Sequence, residues 1–142
     1  MQAIREYQKR LVSFCKLEIK EFAEERLPDN PTPMQIQLAL EKEAQRLQPD
    51  LGKGVVIALC IEGNLFSSEA LAYQMEALAL SGQSRLTFVI GGSYGLAPIV
   101  KQQAQLQLSM SLMTFPHHMA RVMLLEQLYR GFQILKGTKY HK

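Results

Sequence analysis

Apolar residues in this chain recur at two different spacings, and the switches between them outline a fold. Across residues 2–12, Ile4, Tyr7 and Leu11 fall on one side of a helix, with Arg5, Glu6, Lys9 and Arg10 largely elsewhere. Leu17 and Ile19 then alternate with Glu18 and Lys20, the period of a strand, over about Lys16 to Phe22. The stretch from Glu24 to Pro33 is acidic at first, holds Pro28, Pro31 and Pro33, and reads as a mobile loop. Thr32 followed by Pro33 and Gln35 has the form of a capped helix start. Ile36, Leu40, Ala44 and Leu47 continue down one face of that helix, which is expected to stop before Pro49 and the Gly52/Gly54 turn.

The second half repeats the alternation. Val55 to Ile61 is an unbroken apolar run closed by Glu62-Gly63-Asn64, and Leu86 to Ile90 is a second run that reads as a strand buried on both faces. Between them Ser67 can cap a helix with Glu69 in its first turn, Leu71, Met75 and Leu78 as its stripe and Gly82 as its stop. After the glycines at 91, 92 and 95, Ala97 to Gln105 reads as a short helix. Leu106, Leu108, Met110 and Leu112 then show strand periodicity. A last helix, Met119 to Leu135, would bury Val122, Leu125, Tyr129 and Phe132, with Met123, Leu124 and Leu128 available for a second face. Gly137 ends it, leaving Thr138 to Lys142 as a tail. The order predicts one α/β layered domain over residues 1–142, with a mostly parallel sheet.

Composition narrows the class without naming a function. The chain has 142 residues, 47% hydrophobic and 20% charged, as a globular domain does. Its longest apolar run is far short of a membrane span, and no signal peptide opens it. Cys15 and Cys60 form neither a disulfide framework nor a metal-ligand pattern, so the cytoplasm is the expected compartment and no metal is expected. Net charge is only +3, but residues 117–142 carry five Lys/Arg against one acid, Glu126, together with all three histidines. That quarter could face phosphate, or simply complement a helix dipole.

Candidate chemistry gathers at Phe88-Val-Ile-Gly-Gly-Ser-Tyr-Gly-Leu96. Ligands of open α/β sheets sit at the carboxyl ends of the strands, and glycine lets something approach the backbone closely. The same pair is also what a plain tight turn needs. It is neither a Walker loop nor the dinucleotide fingerprint. Leu59, Leu112, Met113 and Phe115 are apolar, and single residues of that kind are suited to core packing.

Several segments in fixed order carry a resemblance. These are Glu62-Gly63 with Ser67-Ser68-Glu69, the glycine segment, Met113-Thr-Phe-Pro-His-His-Met-Ala-Arg-Val122 with Leu124-Leu-Glu-Gln-Leu-Tyr-Arg130, and Tyr140-His141-Lys142. Together they resemble the bacterial ribosomal large-subunit methyltransferase H family of the SPOUT superfamily, over essentially the whole chain. The resemblance implies an α/β fold with a C-terminal trefoil knot, homodimers, and methyl transfer from S-adenosylmethionine to N3 of a pseudouridine in large-subunit ribosomal RNA on assembled ribosomes. By position it puts cofactor contacts on Leu59, Gly91 and Met110, Ser111, Leu112, Met113, Thr114 and Phe115. It raises His141, with Tyr140 and Arg130, as the catalytic group, His141 being the candidate base. Arg121 and Arg130 could serve RNA or the dimer, and Arg130 with Glu126 also has helix i,i+4 spacing. Family members usually begin with a further strand ahead of the segment starting here at Met1, so a shortened sheet is expected. Two rival readings are a non-catalytic RNA- or ribosome-binding module of the same fold and an enzyme using another nucleotide.

Overall fold

In the computed structural model, which describes residues 2–141, the chain forms five helices and a three-stranded sheet. Met1 and Lys142, the last residue of the tail motif, lie outside the described residues. The chain gathers into two compact units. One holds the residues up to Ile19, Phe66–Ser84 and those from Phe115 onward; the other holds Lys20–Leu65 and Arg85–Thr114. No helix among the described residues is long and apolar enough to cross a membrane.

The second unit contains the sheet. Its strands are β1 (Val55–Leu65), β2 (Leu86–Ile90) and β3 (Leu106–Ser109), in the order β2-β1-β3, and both ladders are parallel as the alternation of elements predicts. The continuous run Val55-Val-Ile-Ala58 takes the middle place and is buried throughout. Leu86–Ile90 is an edge strand among the described residues, with Val89 its one buried member, and not the two-sided buried strand its composition suggests. An apolar run cannot distinguish a central strand from an edge strand with one covered face.

Helix α1 (Gln2–Leu11) belongs to the first unit, and α2 (Pro33–Leu51) and α4 (Pro98–Gln103) flank the sheet in the second. Thr32 accepts from the Gln35 N–H while Gln35 returns a bond to the Thr32 N–H, the reciprocal box read from the sequence. The helix runs through Pro49 to Leu51 instead of stopping short. A proline costs a helix one N–H bond, and in the last turn that loss is small. Ala44, Leu51, Val56, Ala58, Val89, Leu96, Ala97 and Val100 form the core of this unit. The segment expected as a strand from Lys16 to Phe22 joins no sheet, with Leu17 and Ile19 half-buried and their neighbours exposed. It keeps the period of two, yet a strand also requires a ladder partner, and none of the three strands supplies one.

The first unit is helical: α1, α3 (Ser68–Leu80) and α5 (His117–Lys136), with α5 packed against both others. Ser67 caps α3 by accepting from the Ala70 N–H. Because α5 has a neighbour on two sides, its buried set is Leu124, Leu125, Leu128 and Gly131, drawn from both the expected stripe and the second face, while Tyr129 and Phe132 meet Phe14 through ring contacts. Gly137 adopts φ +73°, and its N–H and that of Thr138 bond to Ile134 and Gln133. This Schellman turn reverses the chain so that the tail runs back along α5.

Candidate active site

The register of the sheet brings one group of predicted residues together. Leu59 on β1 is the partner of Ile90 on β2 and of Leu108 on β3. The strands are parallel, so the chain leaving β2 at Gly91 and the chain leaving β3 at Met110 emerge at the same end of the sheet. That end is the carboxyl end, where open sheets take ligands.

Each departing segment bends for a specific reason. After β2, the Gly95 N–H donates to the Gly92 carbonyl at 3.1 Å with Gly95 at φ +81°, closing a tight turn over Ser93 and Tyr94. A side chain on Gly91 would overlap the backbone of Gly95, and one on Gly92 would overlap the carboxylate of Glu24. The space freed at these two glycines on the Cβ side is therefore filled by the chain itself, not by an approaching ligand as the sequence suggested. After β3, the strand period continues to Leu112 but the strand stops at Ser109. The Ser109 hydroxyl donates to the Ser111 carbonyl (3.0 Å) and the Ser111 hydroxyl accepts from the Met113 N–H (3.0 Å), so local side-chain bonds replace the ladder. The loop then presents Leu112, 75% exposed, and Met113, 72% exposed. Neither is core. Leu59, Gly91, Met110 and Ser111 are half-buried, Thr114 is exposed, and Phe115, half-buried, starts the run toward α5.

The other predicted group lies in the helical unit. Arg130 grips Glu126 with Nε and Nη2 at 3.0 and 2.9 Å, the i,i+4 pair read from spacing, and its guanidinium lies 4.9 Å from the centre of the Tyr140 ring. The Tyr140 hydroxyl donates to Glu126 at 3.0 Å, and burial followed by that bond pushes the phenol up to about 12. Arg130 Nη1 meets His141 Nδ1 at 3.1 Å, while His141 Nε2 meets Glu69 at 2.5 Å. A guanidinium has no acceptor, so Nδ1 accepts and the ring hydrogen on Nε2 points to Glu69. Both ring nitrogens of His141 are thus engaged. His117 and His118 stand against one another at the start of α5, ring centroids 4.0 Å apart, and Arg121 is half-buried one turn on.

Known proteins match this chain over nearly its full length. A family model described as "Predicted SPOUT methyltransferase" matches residues 1–141. The Ribosomal RNA large subunit methyltransferase H of Leuconostoc mesenteroides subsp. mesenteroides is 43% identical over 142 residues, which is 99% of this chain and 89% of that protein. The protein of the same name from Streptococcus pyogenes serotype M5 is 46% identical over 140 residues, 98% of this chain and 88% of that protein. The chain belongs to the SPOUT methyltransferase family.

Membership bears out the resemblance drawn from the motifs, and with it the α/β class and the knotted fold that the family implies. The predicted residues thus form two groups: the loops at the carboxyl end of the sheet, and the clasp of Arg130, Glu126, Tyr140 and His141 around the tail. Three acids were not singled out for a role at either group from the sequence. In the sequence Glu69 reads as favourable to a helix dipole and as part of a family motif, Glu126 as a helix partner of Arg130 within another, and Glu24 as part of an acidic loop. Arg130, Ser93 and His141 stand 4, 69 and 72 residues from Glu126, Glu24 and Glu69, and the distant pairings leave no mark in local spacing.

Proposed function

We propose that this protein transfers the methyl group of S-adenosylmethionine to N3 of a pseudouridine in large-subunit ribosomal RNA, acting on assembled ribosomes in the cytoplasm as a homodimer. The observation that carries the reading is the register Ile90–Leu59–Leu108, by which β2 and β3, on either side of β1, both send their following loops, the glycine turn and Met110–Thr114, out at the carboxyl end of the sheet. The names of the relatives support the ribosomal RNA substrate; the donor, the position on the base and the dimer follow the family resemblance.

The fit to a donor can be judged from the side chains present. The Leu112 and Met113 side chains stand largely in solvent, as residues that cover an apolar ligand face do. Leu59, Gly91, Met110, Ser111, Leu112, Met113, Thr114 and Phe115 are the residues we assign to holding it. Bound S-adenosylmethionine supplies a sulfonium-activated methyl group. The chain's part is to position it and exclude water, which favours a displacement in which charge is lost.

The N3 proton of the acceptor base must leave, and His141 is the base we assign, held by Arg130 and backed by Tyr140. Nδ1 becomes available when the Arg130 contact opens, leaving Nε2–H on Glu69 to orient the ring. Calorimetry with S-adenosylmethionine and its demethylated product, followed by labelled methyl transfer to ribosomes and to free RNA, tests the reading. Binding together with label in ribosomes is expected. Ribosome binding without either ligand would replace it with the non-catalytic module, and sedimentation of the same sample tests the dimer.

A further inference from the structure

Glu24 has no part in the chemistry above, yet its surroundings are built with care. The loop carrying it is fastened to α2 on both sides of the residue. Arg46 donates from Nη1 to the Ala23 carbonyl at 2.8 Å and pairs through Nη2 with Glu25 at 3.0 Å. The Glu25 N–H donates to Glu43 at 2.8 Å. Between these ties the Glu24 side chain reaches across to the glycine turn. Its Oε1 accepts the Ser93 N–H at 2.7 Å, and its carboxylate lies where a side chain on Gly92 would begin. The absence of a Cβ at Gly92 is what admits it.

A segment with three glycines in five residues has many backbone conformations open to it. A bond from a carboxylate to an N–H in the middle of the turn is charge-assisted and selects one of them. We propose that Glu24 is a positioning residue for the donor: held by Arg46 and Glu43, it fixes the Gly91–Gly95 turn in its binding shape before the ligand arrives. The proposal rests on the donor reading of the strand-end cleft. Its physical content is preorganisation, so it concerns donor affinity and not the chemical step.

The test compares full-length wild type with Glu24→Ala and Glu24→Gln. Calorimetry with S-adenosylmethionine and its demethylated product is run alongside thermal unfolding and a donor-dependent rate assay. Glu24→Ala is expected to weaken both ligands about tenfold. KM for the donor should rise in step, with kcat at saturation and the melting temperature little changed. Glu24→Gln keeps an oxygen that can accept from Ser93, so its affinity should stay within about threefold of wild type. Wild-type affinity in Glu24→Ala overturns the proposal. So does tighter binding, which would show the carboxylate competing with the ligand, and so does a Glu24→Gln protein as weak as Glu24→Ala. A wild-type protein that binds neither ligand overturns the donor reading itself, a distinct result. If Glu24→Ala does not fold, Arg46→Met frees the loop while leaving Glu24 in place; weakened affinity is expected, and unchanged affinity overturns the idea.

Discussion

His141 and Glu69 are 72 residues apart in the sequence and 2.5 Å apart in the fold. Their contact ties the tail that follows α5 to the first turn of α3, and the hydrogen bond from His141 holds the Glu69 carboxyl below its ordinary value. A carboxyl depressed by folding contributes stability that is complete above its unfolded pKa, about 4.3, and is lost as pH falls through the folded value. Unfolding temperatures followed downward from neutral pH should therefore drop more steeply below roughly pH 4.3 for wild type than for Glu69→Gln. The difference should be small and should shrink with added salt, because Glu69 is exposed. Parallel curves would mean that the contact contributes nothing to the fold.

Tyr140 gives an alkaline counterpart. Its phenol is pushed up to about 12, first by burial and then by the bond it donates to Glu126. The folded value lies above the unfolded one, so this contribution is present below about pH 10 and is lost as pH rises through the folded value. Spectrophotometric titration of the five tyrosines should show one that ionises late, near pH 12, and Tyr140→Phe should remove that late component. A variant in which the late absorbance persists would assign it to another ring.

The clasp also predicts how catalysis fails. His141→Ala should lower the methyl-transfer rate by about 10²–10⁴, the range for losing a general base, while affinity for the demethylated product stays unchanged. Arg130→Ala removes the grip on Glu126, His141 and the Tyr140 ring at once, so it should cost a similar part of the rate. Arg130→Lys should not restore it, because an ammonium cannot reproduce the paired contacts of the guanidinium. Single-turnover transfer beside product-binding calorimetry checks both; a full rate in His141→Ala would remove the histidine from the mechanism.

The parts of this architecture that could be read in advance are those written in neighbouring residues. The Thr32–Gln35 box, the Ser67 cap, the Gly137 stop and the Glu126–Arg130 pair each need only a few residues of context, and all four are present. The failures share the opposite character. Lys16 to Phe22 has strand periodicity but no ladder partner, and β3 stops at Ser109 because two serine hydroxyls compete with the ladder. Leu112 and Met113 could equally have been core, since hydrophobicity does not say which way a loop turns. Glu24 meets Ser93 across 69 residues, and no local pattern records such a pairing.

Gly91 and Gly95 are both glycines of the turn, yet for different reasons, and substitution should separate them. Gly95 sits at φ +81° with open space where a side chain would go, so Gly95→Ala meets only the left-handed backbone penalty of about 1–2 kcal/mol. Gly91 has an ordinary φ, but its missing side chain faces the carbonyl group of Gly95, and backbone cannot rotate aside as a side-chain end can. Gly91→Ala must push the two arms of the turn apart, at a cost of about 1–3 kcal/mol. It should also weaken the demethylated product more than Gly95→Ala does, since the displaced arm is the one leaving β2 at the cleft. Because both changes act on one approach, their effects on stability should not add. Denaturant unfolding of the two single variants and the double variant, with product calorimetry on each, makes the comparison. A Gly91→Ala protein as stable and as tight-binding as wild type would show that the close approach of Gly91 to Gly95 does not shape the cleft.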